Sequence, residues 1–310
     1  MNAVITVALP VFGIIAAGLL AGRLEFMSAA DSAALNKFVF RFAMPAALFG
    51  LTAGTAPPGS EDAAIALSYA IAAFAVIFSA YFLSQTFFPI SKPEAGAHGF
   101  ASVLGNAVFL GLPIALNIDG WARPFVTLML IEGIFIIAIA AALMAPRKSG
   151  GGFLGKLAGY FAGPLRNPLV IGMVAGFLFS ALGFSLTGPI DTFFSLLGRA
   201  AGPTALFSMG LFLATNQLPD MRKIGGRIAA IAMAKMIALP VIALSAAFLL
   251  GVDDPNYLGA LALFVFVPSG VGSFIMASQY GIYQTETAAA VSFTTMLSVL
   301  TISGVLIAFA

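Results

Sequence analysis

Cysteine is absent from this sequence of 310 residues, which excludes disulfides, thiolate nucleophiles and cysteine-based metal sites. Histidine occurs once, at His98, so neither a His-based catalytic triad nor a zinc site can be assembled around it, and no cofactor is expected. Charge is scarce as well: Asp, Glu, Lys and Arg make up 8% of the chain, against 61% hydrophobic residues and a mean hydropathy of +1.06. One water-soluble domain cannot bury that much apolar surface, so the chain belongs in a lipid bilayer. No long polar segment leaves room for a separate soluble domain. The SGGGF stretch from Ser149 lacks the G-K-S/T that a phosphate loop needs, and reads as a flexible connector. The net charge of +2 does not point to nucleic acid, because the basic residues lie in short clusters between apolar runs.

Those runs are what the chain has in abundance. About 20 residues cross about 30 Å of hydrocarbon, and ten stretches qualify: 2–22, 33–53, 63–88, 97–118, 123–144, 166–184, 189–215, 226–250, 257–280 and 287–309. The first has no basic residue ahead of it, unlike a signal peptide, and is expected to be a mature helix. Arg23 and Lys37, Lys92, the group Arg147, Lys148, Lys156 and Arg166, and the group Arg222, Lys223 and Arg227 all fall at odd-numbered loops. Glu61, Asp62, Asp119, Asp253 and Asp254 fall at even ones, with Arg123 the one basic exception. The positive-inside rule then makes the odd loops cytoplasmic and puts both termini outside, in a multi-pass protein of the cytoplasmic membrane.

Ten spans divide as five plus five, and an odd number per half turns the second half upside down. Span 2 contains RFAMPAALF (Arg41 to Phe49) and span 7 contains RAAGPTALF (Arg199 to Phe207), with Arg, Pro, Ala, Leu and Phe at identical spacing. The matching spacing predicts an inverted repeat. Span 4 carries Gly105, Asn106, Gly111 and Pro113 inside an apolar run, and its repeat partner, span 9, is interrupted by Pro268, Ser269, Gly270, Gly272 and Ser273. Paired interruptions in corresponding helices point to a transporter's substrate site. Backbone groups freed by such breaks must be buried in protein or line a cavity. Crossing at mid-membrane, each second half-helix aims an N-terminus worth about half a positive charge at the crossing, which favours an anion there.

The ten-span layout, FRFAMPAALF in span 2, GNAVFLGLP in span 4, AKMIALP in span 8 and VPSGVGSFIMASQYG in span 9 resemble the auxin efflux carrier family, which includes plant PIN carriers and bacterial malonate or malate permeases. The similarity covers the whole chain and rests on the order and spacing of the motifs together. It implies an all-α, NhaA-like membrane fold: a first inverted repeat over 1–144, a cytoplasmic connector at 145–165 and a second repeat over 166–310. Spans 1, 2, 6 and 7 form a scaffold; spans 3–5 and 8–10 form a moving, elevator-type transport unit in a homodimer. The family's crossover Asn matches Asn106 and its crossover proline matches Pro268. Where a proline often precedes that Asn, this sequence has Gly105, which permits the break through flexibility. PIN-type members carry a long central loop; the short connector here resembles a bacterial member carrying a small organic acid.

Around the crossing, Asn106, Gly105, Pro268, Ser269, Gly270 and Ser273 are the candidate substrate-binding residues. Blander roles stay open: Asn106 as partner of a backbone carbonyl, the two serines as small residues for close packing. Ionisable residues within lipid are costly and are functional candidates. Glu132 in span 5 is either a proton carrier or the partner of a buried cation, and Lys235 in span 8 either supports the crossing or offers charge to the substrate. Arg41 and Arg199 either draw anions toward the two entrances or snorkel to the interface. Gln279 and Tyr280 sit at the inner end of span 9 as gate or lining candidates, and His98 is expected at the cytoplasmic interface. Gly18-x-x-x-Gly22 and Gly172-x-x-x-Gly176 match the close-packing motif of membrane helices. An intramembrane enzyme lacks a second acid near Glu132. Among carriers the runner-up is a sodium-coupled bile-acid-type symporter of related fold, for whose cation sites the sequence supplies few acidic and amide ligands near the crossing. A channel or small-molecule sensor on the same scaffold is the other class left open.

Overall fold

The computed structural model describes residues 2–54, 62–115, 118–145, 168–215 and 221–309, and the expected connector lies outside them apart from Ala145. The described residues form helices α1 (Asn2–Arg23), α2 (Ala29–Ala53), α3 (Ala63–Phe87), α4 (Lys92–Ala101), α5 (107–115) and α6 (Ala122–Met144). They continue with α7 (Pro168–Ala181), α8 (Gly188–Thr215), α9 (Arg222–Leu249), α10 (Pro255–Phe266), α11 (Val271–Tyr280) and α12 (Gln284–Phe309). No β-strand occurs among them; the one β-type contact is an isolated antiparallel bridge between Gly105 and Ser269. By length and composition, six helices can cross a membrane: α2, α3, α6, α8, α9 and α12. Large apolar side chains such as Phe82, Phe87, Phe248, Leu300 and Ile307 stay exposed, as they do on helices solvated by lipid.

Local chemistry sets the ends and bends of these helices. Capping boxes start α2 (Ser28 with Asp31) and α4 (Ser91 with Glu94). Gly281, at φ +68°, ends α11 in the left-handed conformation. Four helices contain one widened, π-type turn: Val39–Ala43, Ala107–Gly111, Glu132–Ile136 and Ala234–Ala238. Three of the four directly precede an X-Pro pair. Met44, Leu112 and Leu239, each just before a proline, bond carbonyls five residues back, at Val39, Ala107 and Ala234. A proline in a helix lacks the N–H and crowds the carbonyl four residues earlier, and one extra residue in the turn relieves both.

The glycine motifs seat helices against each other. A Cβ on Gly18 would collide with the Phe207 carbonyl of α8, and one on Gly22 would lie 2.6 Å from the Ala214 Cβ. In the same way Gly172 of α7 is pressed on Pro45, and Gly176 on Phe49 and Thr52 of α2. Thus α1 lies along α8 as α7 lies along α2.

His98 is packed against protein. Because the Ser91–Glu94 box starts the helix at Lys92, His98 falls well inside α4 and is buried, with Nδ1 3.0 Å from the Tyr283 hydroxyl. Burial, with the Glu286 carboxylate nearby, pushes the Tyr283 hydroxyl well above the usual phenol range, so it stays protonated. At the start of α3, the buried Asp62 carboxylate accepts from Arg123 at 3.1 Å and from the Tyr257 hydroxyl at 3.1 Å, which joins the N-terminal ends of α3, α6 and α10. Arg123, the basic exception in the loop pattern, is therefore held by an acid.

Candidate anion site at a backbone crossing

Two interruptions, Ser102–Asn106 between α4 and α5 and Val267–Gly270 between α10 and α11, meet in the interior. Asn106 N–H donates to the Pro268 carbonyl and Gly270 N–H to the Leu104 carbonyl, both at 2.8 Å. Freed backbone groups in a dry interior are costly unless paired, and side chains take up those the crossing leaves. The Ser269 hydroxyl donates to the Ala101 carbonyl at 2.8 Å, and Ser102 to His98 at 2.8 Å, closing the C-terminal end of α4. Lys235 Nζ donates to the Val265 carbonyl at 3.0 Å and Thr301 to Phe266 at 3.2 Å, closing the C-terminal end of α10. An ammonium there also suits the negative end of the helix dipole.

Two more N–H groups go to the helices that come after each interrupted pair, α6 and α12. Gly105 N–H donates to Glu132 Oε1 at 3.0 Å, and Ser269 N–H to the Thr294 hydroxyl at 3.0 Å. Tyr69 of α3, fully buried, donates its hydroxyl to the same Glu132 oxygen at 2.8 Å. Glu132 and Lys235 are both buried, each in a widened turn, and attract each other electrostatically. Gly105 lies between: a Cβ on it would sit 2.7 Å from Val267 Cγ2 and 3.6 Å from Lys235 Nζ.

One donor is left over. Asn106 is 2% exposed, and its Nδ2 has no hydrogen-bond partner. It borders a cavity of about 50 Å³ beside the crossing, together with Gly105, Glu132, Gly270, Val271 and Gly272. Ser273 N–H donates to the Gly270 carbonyl at 2.9 Å, while the N–H groups of Val271 and Gly272, which open α11, have no preceding helical turn to receive them, so this wall offers an amide and a positive helix end. A buried, unpaired donor is costly in an empty interior and suited to receiving an acceptor.

The structure brings Gly105, Asn106, Pro268, Ser269 and Gly270 together. Ser273 turns its hydroxyl onto the Gly270 carbonyl at 2.8 Å, and neither serine borders the cavity. Arg41 and Arg199 are exposed and away from it. Gln279 borders a second cavity of about 200 Å³, with Ser32, Asn36 and Lys37 of α2 and Gln284. Reading the sequence missed Tyr69, Thr294 and the methionines Met44, Met129 and Met173, which also line the smaller cavity. A hydroxyl inside an apolar helix was the available signal for the first two; the methionines gave none.

The family model described as Membrane transport protein matches residues 3–152 and 161–306. A Rhizobium meliloti (strain 1021) protein named "Putative malonate transporter" is 31% identical over 305 residues, 96% of this chain and 93% of that one. "Uncharacterized transporter YfdV" of Escherichia coli (strain K12) is 24% identical over 294 residues, 89% of this chain and 88% of that one. With both stretches of the family model and a full-length relative in agreement, this chain belongs to the membrane transport protein family, the auxin efflux carriers, and is a multi-pass membrane transporter.

Proposed function

We propose that the chain is a secondary carrier of a small organic anion across the cytoplasmic membrane, with the anion held where the two interrupted helices cross. The observation that carries this is the unpartnered Asn106 amide, buried at the cavity wall beside the first turn of α11. A relative named for malonate supports a carboxylate as the cargo class. The architecture that goes with this reading is ten spans in two inverted five-helix repeats of NhaA-like fold, as a homodimer with both termini outside. Span 4 comprises α4 and α5, and span 9 comprises α10 and α11. The scaffold is α1, α2, α7 and α8, and the remaining helices move as an elevator; α1 on α8 and α7 on α2 are the pairs an inverted repeat relates. Glu132, against the crossing and bound to Gly105, is the group through which proton coupling would act.

Reconstituted into proteoliposomes, the protein should take up labelled small carboxylates saturably and show counterflow. Asn106→Ala should reduce uptake at subsaturating substrate by about tenfold or more, the worth of a hydrogen bond to a charged group, while the protein still inserts and purifies. Conductance that does not saturate would make it a channel, and unaltered uptake in the variant would remove Asn106 from the site.

A further inference from the structure

The cavity at the crossing is lined unequally. Its donors come from the Asn106 amide and the first turn of α11. Met44 and Leu48 of α2, Met129 of α6, and Leu169 and Met173 of α7 also line it, and their side chains supply no hydrogen-bond donor. Glu132 stands in the wall as well, with Oε1 already accepting from Gly105 and Tyr69. A guest with one carboxylate finds donors and a positive helix end for it, and thioether and aliphatic contacts for the rest. A second carboxylate would lie against methionine and leucine side chains or against Glu132, stripped of water with no donor in return.

Two of the methionines occupy room that only glycine leaves. A Cβ on Gly133 would overlap Met173 Cε, and one on Gly272 would lie 3.3 Å from Met44 Cε. Each thioether thus reaches from α2 or α7 onto a helix that carries the crossing or braces it. Methionine is unbranched and adaptable, so this wall yields in depth but not in polarity.

Resting on the reading of the crossing as the substrate site, we infer that the site selects a short-chain monocarboxylate over a dicarboxylate, and that Met44 and Met173 set the length of hydrocarbon tail it accepts. Both thioethers border the cavity of about 50 Å³, so shortening either one opens room for a longer tail.

The test is thermal stabilisation of the purified full-length protein titrated with propionate, butyrate, hexanoate and malonate. Propionate or butyrate should bind most tightly, and malonate should need a concentration about tenfold higher or more. Met173→Ala and, independently, Met44→Ala should shift the preference toward hexanoate by about tenfold relative to butyrate. Malonate binding as tightly as butyrate overturns the inference and leaves the carrier reading standing. Both alanine variants keeping the wild-type order overturns the role of the methionines. Binding of none of the four acids overturns the inference and the site reading together. The wild-type ranking needs no variant, so a variant that fails to fold does not shield the inference.

Discussion

Gly105 and Ser269 face each other across the crossing, and each hands its N–H to the helix that comes after its own interrupted pair: Gly105 to Glu132 of α6 and Ser269 to Thr294 of α12, both at 3.0 Å. Around them the Asn106-to-Pro268 and Gly270-to-Leu104 bonds are reciprocal. The first and second halves of the sequence thus contribute one N–H each, but the side chains that receive them differ. A carboxylate stands in one half where a hydroxyl stands in the other. The first half therefore holds the ionisable group against the crossing, and the second supplies the Lys235 ammonium that attracts it.

The Gly105 N–H explains why glycine serves where a proline would also break the helix. Proline has no N–H for Glu132. Gly105→Ala should cost about 1–3 kcal/mol, because its methyl arrives 2.7 Å from Val267 Cγ2 in a packed interior. Gly105→Pro should cost more, since it also leaves the Glu132 carboxylate short of a donor. Melting of the two variants in detergent checks this: the proline variant must be the less stable, and equal melting would mean the Glu132 bond contributes nothing.

Glu132 can be tested by charge and by shape separately. Glu132→Gln keeps an oxygen for Gly105 and Tyr69 but cannot release a proton. If Glu132 carries the coupled proton, a pH gradient that accelerates uptake in the wild type should have no effect in this variant. Uptake that still follows the gradient would make Glu132 a structural partner of Lys235. Glu132→Leu removes the acceptor as well and leaves the Gly105 N–H and the buried Tyr69 hydroxyl without their partner, so it should destabilise the protein by about 1–3 kcal/mol for each.

The breaks themselves were legible in the sequence, because Gly, Asn, Pro and Ser inside apolar runs leave backbone groups that lipid cannot satisfy. Asn106 and Pro268 were legible on the same ground. Two of the side chains that hold the crossing were not: Tyr69, which bonds Glu132, and Thr294, which receives the Ser269 N–H, lie far from the breaks in the chain, and only the packing of α3 and α12 brings them in. Arg41 and Arg199 gave the clearest repeat signal yet remain exposed, since a long basic side chain in an apolar run can reach past its own helix. The start of span 4 was set too late for want of one cap: the Ser91–Glu94 box begins the helix at Lys92, so His98 lies seven residues in and is buried.

Asp62 ties α3 to α6 and α10 through Arg123 and Tyr257. Arg123 is 58% exposed, so the pair lies partly in water and is worth less than a buried one. Asp62→Asn should lower stability by about 1–2 kcal/mol, seen as earlier melting that high salt does not restore. Affinity for the transported acid should stay as in the wild type, because the residue is not part of the cavity wall.

Gly133→Ala probes the cavity from its own wall. The new methyl would overlap Met173 Cε, the far end of a flexible side chain, so the thioether gives way rather than the backbone. Met173 borders the cavity, and displacement toward it takes room from a volume of about 50 Å³. Stability should fall by about 1–3 kcal/mol, as overpacking does, while affinity for butyrate drops about tenfold, the worth of a methylene in an apolar pocket. Adding Met173→Ala removes the atom that is displaced, so the double variant should regain much of the lost affinity. The two effects would then be non-additive, as expected of side chains in contact. A double variant that binds no better than Gly133→Ala alone would show that the loss arises elsewhere in α6 and that Met173 is not the wall of the site.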